Sequence, residues 1–266
     1  MNHLDELENE SIFIIREAFA NFKNIAMLWS IGKDSTTMLH LCRKAFFDKI
    51  PFPMIHIDTS FKFKEIYEFR DIYVKKWNLN LIIISNKFAL DNGMSVKRGH
   101  LNCCNSLKTE PLKKIIIEKK LDAIFVGIRR DEHGIRAKER VFSKRNDSCN
   151  WDYKNQNTEM WSQYDSKEQK NEHLRIHPLL GWREIDIWEY IKREKLPVCD
   201  LYFSKNGKRY RSIGCSPCCN PIESNAKNID EIILELEKTK SSERGGRAQD
   251  KENQYNMQKL RSLGYM

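Results

Sequence analysis

Apolar residues recur along the first two-thirds of the chain at two spacings, one typical of strands and the other of helices. Short apolar runs predict strands at residues 25–29, 53–59, 80–85 and 122–128. Apolar residues three or four positions apart predict helices at residues 7–22, 36–47, 63–77 and 182–194, and another from Thr109, as its N-cap, to Lys120. The isoleucines at 82–84 indicate a strand that is buried on both faces.

Strands that alternate with helices predict an α/β fold with a doubly wound, mostly parallel sheet flanked by helices. We expect residues 1–180 to form this core, and residues 181–266 to form a helical and loop appendage that contains cysteines. Within the core, the polar residues 146–172 predict a long loop. The stretch from Lys238 onwards has seven Lys/Arg and three Asp/Glu, which predicts a mobile basic tail or a partner-binding arm.

The composition favours a cytoplasmic protein with an anionic partner. Hydrophobic residues make up 40% of the chain, and no apolar run approaches the roughly 18 residues that a membrane span needs. The net charge of +9 suits a nucleotide, an inorganic oxyanion or a nucleic acid, or simply a Lys-rich surface. The eight cysteines are expected to be thiols rather than disulfides in that compartment. A homo-oligomer is compatible with this composition.

A glycine-containing turn, S-I-G-K-D-S at residues 30–35, lies between the first predicted strand and the next helix. Ligands of parallel sheets bind at this end of a strand, and the free amides of a helix N-terminus bind phosphate. The second glycine and the spacing of a Walker A loop are missing, and a plain capped connection is the alternative. The predicted nucleotide-binding residues of the turn are Ser30, Gly32, Lys33, Asp34 and Ser35. Lys33 is expected to contact phosphate, and Asp34 a Mg²⁺ ion.

The turn resembles the pyrophosphate loop of the N-type ATP pyrophosphatases, usually written S-G-G-x-D-S, except that Ile31 replaces the first glycine. The same departure occurs in the small, catalytic subunits of bacterial sulfate adenylyltransferases, to which the chain is similar along nearly its whole length. Matching stretches are residues 10–12, 15–17, 30–35, 38–41, 51–53, 56–59, 67–71, 129–132, 136–140, 186–188 and 223–226. The resemblance implies an adenine nucleotide alpha hydrolase-like fold, cleavage of ATP between the α and β phosphates, and transfer of AMP to sulfate. It also implies a GTPase partner subunit, since the equilibrium of that reaction lies towards ATP.

A run of charged residues follows the fourth predicted strand, at residues 129–140. Arg129, Arg130 and Arg136 are candidates for stabilising the charge that builds on pyrophosphate, although interleaved acids are also typical of a solvated helix face. Asp58 ends the second strand and is predicted to bind Mg²⁺ or the nucleotide, with a helix cap as the alternative. No protein nucleophile is evident, and in-line attack of the acceptor on the α phosphorus needs none.

The cysteines form a paired pattern, with Cys103 next to Cys104 and with Cys215 and Cys218 in a C-x-x-C motif. This set resembles the [4Fe–4S] sites of assimilatory adenylylsulfate reductases and of the sulfur-inserting pyrophosphatases of DNA phosphorothioation. The resemblance implies that these four cysteines hold a cluster, with zinc or free buried thiols as the alternatives. Cys219 is a spare that could replace Cys218 or carry sulfur. The enterobacterial sulfate adenylyltransferase subunit lacks these cysteines.

Three functions therefore compete. The first is sulfate activation with a GTPase partner. The second is a cluster-dependent ATP pyrophosphatase that adenylylates an oxygen of nucleic acid, such as a DNA backbone phosphate, for replacement by sulfur from a cysteine desulfurase. The third is a nucleotide-responsive, nucleic-acid-binding component without turnover, against which the lack of interleaved aromatics in the basic segments argues. A reductase is disfavoured because the C-terminal Glu-Cys-Gly motif of that family is absent.

Overall fold

A six-stranded sheet forms the centre of the computed structural model, which describes residues 2–159, 164, 173–248 and 255–265. Its strands are β1 (Ile25–Leu28), β2 (Met54–Ile57), β3 (Leu81–Ile84), β4 (Ala123–Phe125), β5 (Phe142–Arg145) and β6 (His173–Ile176). Their order is β3-β2-β1-β4-β6-β5, and every neighbouring pair is parallel except β5 and β6. Two short strands, β7 (Lys208–Arg209) and β8 (Ile222–Glu223), form a second sheet. The predicted mostly parallel α/β fold is confirmed.

Helices connect these strands and extend beyond them. They are α1 (His3–Asn21), α2 (Lys33–Ala45), α3 (Lys64–Lys76), α4 (Lys87–Asp91), α5 (His100–Cys104), α6 (Glu110–Lys119), α7 (Glu184–Arg193), α8 (Ile229–Lys238) and α9 (Asn256–Ser262). Helix α2 packs against α1 and α7, and α7 also packs against α8. The division predicted at residue 180 stays a prediction. Among the described residues, no helix has both the length and the apolar character needed to cross a bilayer.

The two central strands are buried on both faces, which explains their purely apolar sequences. Ala26 and Met27 of β1 and Ala123, Ile124 and Phe125 of β4 are all 0% exposed. From β1 the chain proceeds outwards through β2 to β3, whereas β4 lies on the other side of β1. The order therefore reverses between β1 and β4, and a ligand is expected beyond the carboxyl ends of these two strands.

Gly127 lies shortly after β4, at this point of reversal. A Cβ atom on Gly127 would lie 3.2 Å from Ser35 Cα and 3.3 Å from Ser35 N, in the backbone of helix α2. Glycine thus allows the end of β4 to approach the first turn of α2 closely. This contact brings the segment after β4 against the turn after β1.

Two details of the predicted elements are wrong. Strand β3 lies at the edge of the sheet and leaves Ile83 49% exposed, so it is not buried on both faces. Thr109 is not an N-cap, because its backbone is helical (φ −68°, ψ −49°) and its side chain caps nothing. It belongs to a π-helical turn, Asn105–Thr109, that joins α5 to α6. Packing of the whole segment therefore overrides the local capping signal.

The loop predicted at residues 146–172 is only partly described. Residues 146–159 are irregular, as expected, and most of the remainder falls outside the described residues. Strand β5 just before it was not predicted, because Phe142–Arg145 is polar in sequence yet buried beside β6.

The described part of the basic tail is folded, so the prediction of a mobile tail is wrong for these residues. Glu243–Gly246 forms a 3-10 turn, and α9 packs against α5 through the buried residues Met257 and Leu260. Arg261 Nε donates to Glu139 at 2.9 Å, which ties α9 to the core. Residues 249–254 and 266 lie outside the described part of the chain.

Candidate active site

The turn between β1 and α2 is shaped by its own side chains. Trp29 Nε1 donates to Thr36 Oγ1 at 3.2 Å, and the Ser30 and Ser35 hydroxyl oxygens lie 3.0 Å apart. The Ser35 hydroxyl also donates to the Gly32 carbonyl at 3.1 Å. These bonds join both ends of the turn that was predicted to hold phosphate.

The N-terminus of α2 opens into a cavity at the carboxyl ends of β1 and β4. The turn contributes Ser30, Gly32, Lys33, Asp34 and Ser35 to its lining. Gly32 is the N-cap and offers no side chain, and the Lys33 amide donates to the Tyr202 hydroxyl at 2.8 Å. The structure therefore brings together all five residues predicted from the turn.

Two buried cations share one carboxylate beside this turn. One oxygen of Glu243 contacts Lys33 Nζ and the other contacts Arg129 Nη2. Lys33 is 1% exposed and Arg129 is 0% exposed. Lys33 Nζ also lies 3.7 Å from Glu184 and donates to the Arg211 carbonyl at 3.2 Å. The Glu243 carboxylate thus contacts two cations, one from the turn after β1 and the other from the segment after β4.

Electrostatic pairing keeps these groups charged despite burial. Burial lowers the pKa of Lys33, but Glu243 and Glu184 raise it by more, so the net shift is upwards. Burial raises the pKa of Glu243, but Lys33 and Arg129 lower it well below its usual range. The pKa of Arg129 is raised because its carboxylate neighbours outweigh its desolvation.

Three carboxylates converge at the same place. Asp34, Glu132 and Glu243 each have an oxygen within 4.8 Å of the others. Asp34 also contacts Arg129, and Glu132 contacts Arg136, which lines the cavity. Carboxylate oxygens are ligands that Mg²⁺ prefers, so this cluster has the donor chemistry of a magnesium site.

Three of the residues predicted from the charged run and from the end of β2 do not line this cavity. Arg129 is fully buried beside the turn, where it contacts Asp34 and Glu243. Arg130 is exposed and lines a separate cavity beside Arg140. Asp58 accepts hydrogen bonds from the Ser60 amide and the Tyr67 hydroxyl, both at 2.8 Å. The geometry of Asp58 is that of a carboxylate stabilising the turn after β2.

The two cysteine segments meet next to the cavity. Cys103 and Cys104 end α5, and Cys215 forms a β-bridge with Lys62. Burial, with contributions from the neighbouring Cys104 and Cys215 thiols, raises the pKa of Cys103 to about 11. Burial raises the pKa of Cys218 to about 12, again with contributions from Cys215 and Cys104. The fold therefore gathers all four predicted cysteines.

The cysteine arrangement is more open than a zinc site. All eight cysteines are free and buried, and no three of their sulfurs lie within 4.8 Å of one another. Zn–S bonds of about 2.3 Å in a tetrahedron would place the sulfurs about 3.8 Å apart. Four thiols from two segments are also the ligand set of a [4Fe–4S] cluster.

Comparison with known proteins shows the family to which the chain belongs. Residues 24–221 match the phosphoadenosine phosphosulfate reductase domain family. Sulfate adenylyltransferase subunit 2 of Saccharophagus degradans is 43% identical, over 100% of this chain and 98% of that relative. The same subunit of Sulfurimonas denitrificans is 40% identical with the same coverage. The chain belongs to the sulfate adenylyltransferase subunit 2 family. Its predicted class, an ATP-dependent adenylyltransferase, is thereby confirmed.

Solved structures confirm the fold of this family member. A phosphoadenylyl-sulfate reductase from Candida auris, in a phosphate complex, aligns with a TM-score of 0.56 at 19% identity, over 83% of this chain and 96% of that one. An FMN adenylyltransferase from Candida glabrata, in complex with ATP, aligns with a TM-score of 0.57 at 19% identity, over 82% and 63%. These similarities show an adenine nucleotide alpha hydrolase-like fold.

Sequence reasoning missed several residues of this subunit 2 site. Glu184 and Tyr202 lie beyond the predicted core, and Glu243 lies in the tail that was expected to be mobile. The one available signal was the segment Glu243–Arg247, in which an acid and two glycines interrupt a basic stretch.

Proposed function

We propose that this chain is the catalytic subunit of a sulfate adenylyltransferase, which transfers AMP from ATP to sulfate and releases pyrophosphate. The observation that carries this proposal is the meeting of Lys33, from the turn after β1, with Arg129, from the segment after β4. The chain also aligns end to end with relatives of that name. We place the reaction in the cytoplasm, where ATP and reduced thiols are available.

The chemistry needs positioning and charge neutralisation. A sulfate oxygen attacks the α phosphorus while the bond to the bridging oxygen breaks, and the electron pair leaves with pyrophosphate. The amides and hydroxyls of the turn, at Ser30, Gly32 and Ser35, would hold the β and γ phosphates. Lys33, Arg129 and Arg136 would absorb the charge that develops on the leaving group.

The carboxylates of Asp34, Glu132 and Glu243 would hold Mg²⁺, which neutralises the phosphate oxygens of the nucleotide. In the free chain these acids contact Lys33, Arg129 and Arg136. Phosphate oxygens can take over those cations, which would leave the carboxylates available to the metal ion. Asp58 and Arg130 are not part of this proposed site.

We also propose that Cys103, Cys104, Cys215 and Cys218 hold a [4Fe–4S] cluster. The fold gathers these four thiols from two segments, at a spacing wider than that of zinc ligands. Such a cluster supplies electrostatic or redox chemistry that the side chains lack. Iron content after anaerobic purification tests this proposal, and a colourless, iron-free chain would contradict it.

The partner we propose is a GTP-hydrolysing subunit. The name subunit 2 describes the relatives as one chain of an enzyme with another subunit. Because formation of adenylyl sulfate is unfavourable, coupling to GTP hydrolysis would drive it.

Pyrophosphate release with sulfate, measured with the GTPase subunit encoded beside this gene, tests the proposed reaction. The double variant Lys33→Ala with Asp34→Ala should lower the rate by at least about a hundredfold, since it removes charge from the phosphate site. Lys208→Ala, at the exposed position of β7, is the matched control and should retain the wild-type rate. A wild-type protein that releases no pyrophosphate with sulfate contradicts the proposal.

The cysteine segments beside the cavity favour one second candidate, a cluster-dependent transfer of sulfur to nucleic acid. A cysteine desulfurase would be the sulfur donor. The same assay separates the two candidates: pyrophosphate release with DNA and not with sulfate would favour the second.

A further inference from the structure

Besides Arg244, whose Nη2 donates to Met257 Sδ at 3.8 Å, three further cations line the same cavity as the phosphate turn. They are Lys62, which follows β2, Lys108 in the π-helical turn, and Arg247 from the tail. In the described part of the chain, no carboxylate lies within ion-pairing distance of any of the three. Lys33, Arg129 and Arg136, by contrast, each contact at least one carboxylate.

Backbone and side-chain contacts hold these three cations in place. Lys62 forms a β-bridge with Cys215, and the Ser216 amide donates to the Phe61 carbonyl at 2.7 Å. Lys108 Nζ lies 3.4 Å from the Tyr265 hydroxyl. The cations therefore project from three segments that the tertiary structure joins.

Arg247 is held most firmly of the three. Its backbone bridges to Cys219, and its guanidinium Nε and Nη2 donate to Ser212 Oγ at 3.2 and 3.0 Å. The guanidinium lies over Gly214, where an added Cβ would come within 2.1 Å of Arg247 Nη1. A glycine at 214 is therefore required for this position of the arginine.

The charge around this part of the cavity calls for an anion. Lys62 and Lys108 are half-buried and Arg247 is buried. Cations in such positions that lack a carboxylate partner carry a desolvation cost, which a bound anion offsets. Two of these cations also contact cysteine sulfurs that lie outside the cavity: Arg247 Nη1 donates to Cys219 Sγ at 2.8 Å, and Lys108 Nζ donates to Cys104 Sγ at 3.8 Å. The cavity lining itself includes the three cations and none of the cysteines. A ligand entering the cavity meets the ammonium and guanidinium groups first.

We infer that Lys62, Lys108 and Arg247 form the subsite for the acceptor, a tetrahedral oxyanion such as sulfate. This inference rests on the proposed adenylyl transfer and specifies where its second substrate binds. Arg129 and Arg136, which were predicted to stabilise the charge on pyrophosphate, are paired with acids that would release them to the triphosphate. The two sets of cations therefore have separate roles. Lys33, Arg129 and Arg136 bind ATP, whereas Lys62, Lys108 and Arg247 bind the acceptor.

Substrate kinetics of Lys62→Met and Lys108→Met, in the complex with the GTPase subunit, test the inference. Each variant removes one charge-assisted hydrogen bond, so the KM for sulfate should rise at least about tenfold. The KM for ATP should change by less than about twofold, because the phosphate turn is intact. Lys64→Met is the matched control, since Lys64 is 86% exposed and its ion pair is with Glu68 on the same helix. Its KM for sulfate should equal that of the wild type.

Sulfate binding provides a readout that does not depend on turnover. Sulfate at low millimolar concentration, where its general exclusion from protein surfaces has little effect, should raise the Tm of the wild type more than that of the two variants, with chloride at equal ionic strength as the reference. If the wild type shows this shift but releases no pyrophosphate, the subsite stands and the proposed reaction fails. If the enzyme turns over and both variants keep the wild-type KM for sulfate, the subsite is refuted.

The iron content of the variants distinguishes sulfate binding from a role of the two lysines in stabilising the cysteine site. If they serve only to stabilise the cysteine site, the variants lose iron while their KM for sulfate per active site is unchanged, and the inference is overturned. Lys62→Arg and Lys108→Arg keep the charge and should recover most of the sulfate affinity. Failure of one lysine variant to fold leaves the other as the test.

Discussion

Ile31 occupies a backbone conformation that β-branched residues rarely adopt. Its φ is +69° and its side chain is 1% exposed. The pattern of the pyrophosphate loop has glycine here, which accepts this φ without cost. Positive φ costs an L-residue roughly 1–2 kcal/mol, whereas deleting a buried Ile side chain costs about 2–5 kcal/mol. Burial of the Ile31 side chain therefore stabilises the fold by more than the positive φ destabilises it.

Ile31→Gly should for this reason lower the free energy of unfolding by about 1–3 kcal/mol, measured by urea denaturation. Ile31→Ala loses the same contacts but keeps the strained φ, so it should be less stable than Ile31→Gly by about 1 kcal/mol. A stability gain in the glycine variant would show that strain dominates.

Glu243 is the second residue whose contacts give a measurable expectation. Glu243→Gln leaves Lys33 and Arg129 buried with less compensation, so the free energy of unfolding should fall by about 3 kcal/mol. A non-hydrolysable ATP analogue supplies the missing negative charge, so it should raise the Tm of the variant more than that of the wild type. Glu237→Gln, at an exposed position, is the control. An equal shift in both proteins contradicts the expectation.

The pH dependence of this pair follows from the direction of the shift. Lys33 and Arg129 outweigh burial and lower the pKa of Glu243 in the folded state. Its contribution to stability is therefore present above the unfolded value of about 4.3 and is lost as the pH falls through the lower folded value. Acid unfolding of the wild type below about pH 4 should accordingly be steeper than that of Glu243→Gln.

At the scale of elements, the helical segment from α5 to α6 shows how packing overrides a local signal. Thr109 precedes Glu110 and Pro111, a sequence typical of a helix start, yet the helix runs through it from α5. The Thr109 hydroxyl is buried and makes no hydrogen bond with any residue that the structure describes. Replacing a capping threonine lowers the free energy of unfolding by about 1 kcal/mol. A buried hydroxyl that makes no hydrogen bond is, by contrast, itself unfavourable.

Thr109→Val should therefore leave the free energy of unfolding unchanged or raise it, because valine has nearly the same shape without the hydroxyl. Thermal and urea unfolding measure this directly. A loss of 1 kcal/mol or more, as expected for a cap, would contradict the assignment.

At the scale of the whole molecule, the C-terminal region completes the site. Arg261 of α9 donates to the buried Glu139 at 2.9 Å and to the Ile135 carbonyl at 3.0 Å. Its guanidinium also lies 3.5 Å from the centre of the Trp151 ring. Helix α9 is thereby attached to the segment between β4 and β5, and Tyr265 beyond it lines the cavity.

Arg261→Met should lower the free energy of unfolding by about 3 kcal/mol, because it leaves the buried Glu139 without this partner. Limited proteolysis should cut the C-terminal region of the variant faster than that of the wild type. Lys259→Met, exposed on the same helix, should change neither quantity. Wild-type protease resistance in Arg261→Met would show that α9 docks by its apolar contacts alone.

Much of the fold could be read from local pattern. The first four strands and the helices between them follow from apolar periodicity, and the phosphate turn follows from its glycine and its place after β1. Strand β5 could not be predicted, because Phe142–Arg145 is polar in sequence and is buried only through its pairing with β6.

The sequence by itself determined the parallel α/β core, the turn that faces its ligand, and the family, since short-range periodicity and a local motif encode all three. Only the tertiary structure decided what surrounds that turn. Glu243 meets Lys33 across 210 positions of chain, and Lys62, Lys108 and Arg247 line one cavity from three separate segments. Burial in a shared cavity makes these distant charges interact strongly, and a linear pattern of residues carries no record of that proximity.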